Sequence, residues 1–310
     1  MARKRKGRPV NGVLLINKQK GQSSNNVVQQ VKRLFNAQKA GHTGALDPLA
    51  TGMLPVGLGE ATKFSQFLLD ADKTYEVVAH LGVRTDTSDA DGEIVATATT
   101  QGITRKQIDK GIETFRGEIL QTPSIYSALK YQGKPLYYYA RKGIDVPRPT
   151  RKITVFDIQV LSWQDDKLTM KISCSKGTYI RTIVDDLGEL LGCGAHVAEL
   201  RRTSVTPFQA SKMLSVDDLT NMQSNKEEGN FSELDALLLP MDIQVGSLDK
   251  IELDAEAAEK FNHGMQLPLG PDFIQGAKLR VYNKVNQQFL GVAEVNAQQQ
   301  LQPSRVVVYN

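Results

Sequence analysis

Residues 41–55, Gly41-His-Thr-Gly-Ala-Leu-Asp-Pro-Leu-Ala-Thr-Gly-Met-Leu-Pro55, constrain this chain more than any other stretch. Three glycines permit unusual backbone angles and close approach to a ligand. Pro48 stiffens the backbone directly after Asp47. No sustained hydrophobic period runs through the segment, so it is expected to be mostly a structured loop. A glycine-flanked acid in such a loop is open to two readings, a turn aspartate or a catalytic carboxylate, and the residues alone do not choose between them.

The surrounding pattern is that of a mixed α and β protein. Gly12–Asn17 reads as a short buried strand. Ser23, Ser24 and Asn25 can cap a helix that buries Val27, Val28, Val31, Leu34 and Phe35. A second helix is expected from Glu60, with Phe64, Phe67 and Leu68 inward. Lys73–Val83 alternates as a strand, with Tyr75, Val77, Ala79 and Leu81 on one face. Thr104 and Gln107 form a capping box for a helix burying Ile108, Ile112 and Phe115. Two strands are expected at Lys152–Leu161 and Lys167–Cys174, and a helix at Thr178–Leu191 that Gly192 stops. Residues 221–230 read as a surface loop, and Asp254 caps a short helix reaching His263. Lys278–Asn283, Phe289–Val295 and Arg305–Tyr309 are strand-like. Because βαβ units do not alternate regularly, the fold class is α+β.

Charge matters by location. The net charge of +4 permits an anionic partner. Residues 3–8 are almost entirely basic. Residues 126–152 hold seven Lys or Arg and one acid, interleaved with five tyrosines. Such a mixture suits phosphates and stacked bases, although each cluster alone is equally a solvated surface. Two cysteines make no disulfide framework. No apolar run approaches the roughly 20 residues that span a bilayer, and the basic N-terminus lacks a signal-peptide core. The expected location is cytoplasmic.

Several chemistries are excluded. Asp86, Asp89 and Asp91 suggest a calcium loop, but register on Gly92 places Ala98 where the bidentate acid belongs, so they read as turn residues. His42, His80, His196 and His263 form no zinc spacing with Cys174 and Cys193. Walker, nucleophile-elbow and dinucleotide motifs are missing.

The segment 41–55 resembles, without departure, the signature loop of the bacterial tRNA pseudouridine-55 synthase family. Other stretches agree in the same order: Asn11–Lys18 with Gly21–Ser24, Lys73–Tyr75, Pro123–Lys130 with Gly133-Lys134, Gly177–Arg181 and Leu200–Thr203. Gln19 departs from the proline common there, which affects a turn. The likeness covers about residues 11–215 and weakens beyond Asn221.

The resemblance implies a pseudouridine synthase catalytic fold with a mixed, mostly antiparallel sheet over residues 11–245. It implies an RNA-facing loop at 123–151 and a small C-terminal β-rich RNA-binding domain at 246–310, after a basic tail at 1–10. It implies isomerisation of uridine 55 in the T stem-loop of tRNA by a monomer, without metal or cofactor. Asp47 would be the catalytic carboxylate, with Arg181 pairing to it and Tyr75 stacking on the uracil. Tyr179 and Leu200 would wall the base, Lys130 would meet the RNA, and His42 would fill the space that the flipped base vacates. The competing readings are a non-catalytic RNA-folding protein, a guide-RNA-dependent synthase and a glycoside hydrolase. Retention of Asp47, Tyr75 and Arg181 disfavours the first, the detailed fit at 123–134 disfavours the second, and the lack of a second paired carboxylate disfavours the third.

Overall fold

A computed structural model describes residues 6–208, 213–224 and 229–309. Eight strands make the central sheet, in the order Gly12–Lys18, Thr51–Leu58, Ala195–Val205, Lys73–Leu81, Lys167–Cys174, Arg151–Gln164, Gly117–Gln121, with Ala40–His42 attached to Thr51–Leu58. Neighbours pair antiparallel except Ala195–Val205 with Thr51–Leu58, which run parallel. The sheet is therefore mixed and mostly antiparallel, as expected.

Alternation explains the middle of the sheet. In Lys73–Leu81, Tyr75, Val77, Ala79 and Leu81 are buried on one face while Glu76 is exposed on the other. Helix Ile180–Leu190 covers the buried face with Ile183, Val184 and Leu187, and helix Arg105–Glu113 adds Ile108 and Ile112. Both ends of the capping box at Thr104 and Gln107 are formed. Ser23 caps helix Ser24–Leu34 by accepting from Asn26 N–H.

Several expectations change. Thr51–Leu58 is a buried strand, so the irregular part of the signature segment shrinks to about residues 43–50. Pro55 is tolerated because it lies between the two partners on that side, which pair at Thr51-Gly52 and at Val56–Leu58. Ala195–Val205, in the middle of the sheet, was not read as a strand at all. Bulges after Val197 and after Arg202 break its alternation. Residues 221–224, expected in a loop, continue helix Val216–Ser224; residues 225–228 lie outside the described ones, as do residues 1–5 of the basic stretch. Arg8 pairs with Asp235 at 2.5 Å and lies 4.0 Å above the Phe231 ring.

A second sheet of five strands runs Asp249–Leu253, Lys278–Asn283, Phe289–Val295, Gln300–Val306, Leu267–Pro268. Its last long strand begins earlier than the expected Arg305, and Asp249–Leu253 was not anticipated. Asp254 caps helix Ala255–Asn262 as expected. This sheet has its own core around Phe261, Val281 and Leu301. A further cluster joins Tyr282, Phe289 and Val292 to Val13 and Met53 of the first sheet and to Phe64 of the 3-10 helix Gly59–Phe64. Among the described residues no helix is long and apolar enough to cross a membrane.

Candidate active site

The irregular backbone of residues 43–50 cannot satisfy its own polar groups, so neighbours must. Three side chains from other elements do so. Lys18, 1 % exposed at the end of its strand, donates to Pro48 O at 3.2 Å and Ala50 O at 2.6 Å. Ser24 Oγ accepts from Leu46 N–H at 2.8 Å and donates back to Leu46 O at 3.0 Å. Arg202, 1 % exposed, donates to Gly44 O at 3.0 Å and Met53 O at 2.7 Å. Gly52 closes the loop with φ near +95°, and a Cβ there would stand 2.3 Å from Arg202 O. Only glycine fits that crossing.

These ties aim Asp47 into a cavity of about 320 Å³. Tyr75, Tyr179, Arg181 and Leu200 line it with Asp47, so five of the seven expected site residues converge. Tyr75 is 9 % exposed on its strand and Leu200 7 % on the strand beside it. Lys130 lies outside the lining, exposed on a short hairpin in which it pairs with Pro135. His42 also lies off the lining, at the end of Ala40–His42, where its Nδ1 accepts from Gly44 N–H at 3.3 Å. Burial, and after it the Arg202 cation, push its pKa down. The imidazole is accordingly neutral at neutral pH.

Arg181 is 5 % exposed by side chain, and its guanidinium joins four groups. Nε meets Asp47 Oδ2 at 3.1 Å; Nη1 meets Asp89 Oδ2 and Thr87 O, each at 3.1 Å; Nη2 donates to Tyr126 O at 3.0 Å. Asp89 is thus more than the turn residue expected. Its Oδ1 does hold a turn, accepting from Thr87 Oγ1 at 2.6 Å and Asp91 N–H at 3.1 Å, while Oδ2 holds the arginine.

The charge balance at Asp47 differs from a simple ion pair. Its side chain opens 43 % of its area onto the cavity, but surrounding protein restricts the water that reaches the carboxyl. Desolvation raises its pKa above the ordinary carboxylate value, Arg181 opposes the rise, and Asp89 adds to it. Burial outweighs the pairing, and Asp89, on the same guanidinium, adds to the rise. Lys18 is held at about 8 by burial, with Asp47 opposing. Burial raises the Tyr75 phenol, keeping it protonated, with the Arg202 cation opposing.

Lys18, Asp89 and Arg202 are site residues that sequence reasoning did not select. Lys18 and Arg202 stood inside the quoted motifs but carried no pattern marking them as buried. Among the described residues no group of three or more His, Cys, Asp or Glu could hold a metal ion.

Comparison with known proteins agrees along the whole chain. Residues 32–180 match the TruB family pseudouridylate synthase (N terminal domain), 181–245 the tRNA pseudouridylate synthase B C-terminal domain, and 250–307 the family described as pseudouridine synthase II TruB, C-terminal. A Vibrio campbellii protein named tRNA pseudouridine synthase B is 55 % identical over 313 residues, covering 100 % of this chain and 99 % of its own. An Idiomarina loihiensis protein of the same name is 54 % identical, covering 99 % and 97 %. A chain solved in a Cbf5-Nop10-Gar1 complex shares the fold with TM-score 0.71 and 27 % identity, covering 96 % of this chain and 84 % of that one. One from an H/ACA RNP bound to a substrate RNA containing 2'-deoxyuridine has TM-score 0.72 at 23 % identity, covering 100 % and 92 %, a likeness of fold alone.

Proposed function

Because the chain belongs to the TruB family of pseudouridine synthases, we propose that it converts uridine 55 in the T loop of tRNA to pseudouridine, with Asp47 as its catalytic carboxylate. The observation that carries this reading is the 3.1 Å contact of Arg181 with Asp47 at a cavity lined by Tyr75, Tyr179 and Leu200. A cavity of about 320 Å³ that combines the Tyr75 and Tyr179 rings and Leu200 with charged Asp47, Arg181 and Arg202 suits one nucleotide base.

The reaction breaks the C1'–N1 bond, turns the uracil and joins C1' to C5; the C5 proton leaves and N1, freed of the sugar, takes up a proton, so the product is an isomer. A carboxylate serves it as nucleophile or base. Asp47 must be ionised to act, and Arg181 favours that form against the burial that opposes it. Tyr75, protonated, offers a ring to stack on the uracil and an O–H that can donate. Reaching the base requires its extrusion from the loop, at a cost of a few kcal/mol. A neutral His42 ring at the edge of the signature loop fills the space left behind, where a flat ring can stack in place of the base.

The test is direct. Purified protein is incubated with unmodified tRNA transcript and pseudouridine is mapped by chemical labelling. A single new signal at position 55 is expected. No signal at that uridine, or a signal elsewhere, would overturn the assignment.

A further inference from the structure

We propose that Arg151 is a positioning residue for the target nucleotide, its guanidinium bracing Tyr179 and its Nη1, beside Gly177 of the cavity lining, taking a phosphate oxygen of the RNA strand that enters the cavity. The inference rests on the reading that the cavity receives an extruded uridine.

Tyr179 walls the cavity just ahead of helix Ile180–Leu190. Two residues that face each other across strands Gly117–Gln121 and Arg151–Gln164 hold it. Gln121, 3 % exposed, grips the backbone from both sides: its Nε2 donates to Tyr179 O at 3.0 Å, and its Oε1 accepts from Tyr179 N–H at 2.8 Å. Arg151 grips the ring, with the guanidinium carbon 5.0 Å from its centroid. Gly177 makes room for that guanidinium, because a Cβ there would stand 3.3 Å from Nη1. The excursion between residues 121 and 151 thus leaves and re-enters the sheet at the two residues that fix this wall.

Arg151 is also incompletely bonded. Its Nε and Nη2 are buried and have no hydrogen-bond partner. Those two groups are enclosed, so an incoming acceptor meets the guanidinium through Nη1, which lies beside Gly177 of the cavity lining. Nearby cations are otherwise engaged. Lys176 pairs with Asp70 at 3.0 Å, and Lys73 donates to the carbonyls of Leu68, Leu69 and Ala71. A base seated against Tyr179 carries its flanking phosphates to the cavity rim, where a charge-assisted N–H from Nη1 can meet one phosphate oxygen.

The experiment titrates a T-arm hairpin transcript onto the full chain at several salt concentrations and measures single-turnover pseudouridylation alongside. Arg151→Gln should bind about tenfold more weakly, with the salt slope smaller by about one. Arg151→Lys keeps the charge and loses the planar brace, so its slope should match wild type while its saturated rate falls. A wild-type slope in Arg151→Gln would overturn the phosphate contact. If Arg151→Gln does not fold, Arg151→Lys decides: a wild-type rate at a wild-type slope overturns the brace. A fall confined to melting temperature in either variant makes Arg151 merely structural and equally overturns the proposal. Wild type measured in parallel separates the two readings. Its failure to modify the hairpin would count against the proposed function, whereas the slope comparison would still report on Arg151.

Discussion

Two irregular stretches face the same cavity and are built in opposite ways. Residues 43–50 are sewn into the protein by Lys18, Ser24 and Arg202, and Thr43, Leu46, Leu49 and Ala50 are buried beneath them. Residues 123–150 are mostly exposed, with Ser127, Leu136 and Val146 among the few buried side chains. Under the proposed function, the difference follows the work each would do. A reacting carboxylate must be held within a fraction of an ångström, which buried ties accomplish. Phosphates and stacked bases are met by long cations and tyrosine rings, which need reach more than fixity. Arg181 is where the two meet, touching Asp47 in one and the Tyr126 carbonyl of the other.

The largest break in this contrast comes from Arg181→Met. It removes the cation beside Asp47 and leaves Asp89 buried without its partner, so a loss of about 10²–10³ in single-turnover rate is expected, together with a lower melting temperature. The pH profile gives the sign. In the proposed reaction Asp47 acts ionised, and its pKa is raised by burial while Arg181 holds it down. The wild-type rate therefore falls as pH drops through that raised pKa, and in Arg181→Met the fall begins at higher pH. An acid limb that stays put, measured across a pH series, would separate Arg181 from the ionisation of Asp47.

His42 gives a smaller effect. As a neutral ring that fills a vacated stack, it should be replaceable by Phe with most activity retained. His42→Ala should lose about tenfold and be partly rescued by a substrate whose loop stacking is weakened. A general acid or base contributes about 10²–10⁴. Equal losses of that size in both variants, without rescue, would reject the wedge. Smallest of all is Lys130→Ala, on the exposed hairpin. A salt titration of T-arm binding should show a slope reduced by no more than about one, with the saturated rate unchanged. A reduced saturated rate would mean that the exposed stretch shapes the cavity after all.

The same contrast explains what could be read in advance. Elements with one buried face were legible by period: helix Ser24–Leu34, the capped helix Arg105–Glu113, and strand Lys167–Cys174 to its ends. Strand Ala195–Val205 was not, because two bulges shift its alternation and Arg202 is an arginine pointing inward. Thr51–Leu58 was hidden by Gly52, Pro55 and Gly57, residues that signal loops wherever tertiary pairing does not overrule them. Within the site, Asp47, Tyr75, Arg181, Tyr179 and Leu200 were reached through the likeness of motifs, and the geometry gathers them. Asp89 escaped because its turn is local, while the arginine it holds is 92 residues away. No window along the chain joins the two. Lys18 has the same difficulty: its acceptors Pro48 and Ala50 lie 30 and 32 residues on.

At the centre of the account stands the claim that Asp47 performs chemistry and contributes little to affinity. Asp47→Asn is nearly isosteric, so it can be compared with wild type at saturating tRNA, with binding and single-turnover pseudouridylation measured on the same preparation. Binding of tRNA should stay close to wild type, since phosphates supply most of the affinity, and no product should be detectable. A variant that retained about one per cent of the wild-type rate would have lost only about 2.7 kcal/mol of barrier lowering, too little for a group that reacts directly, and that result would contradict the claim.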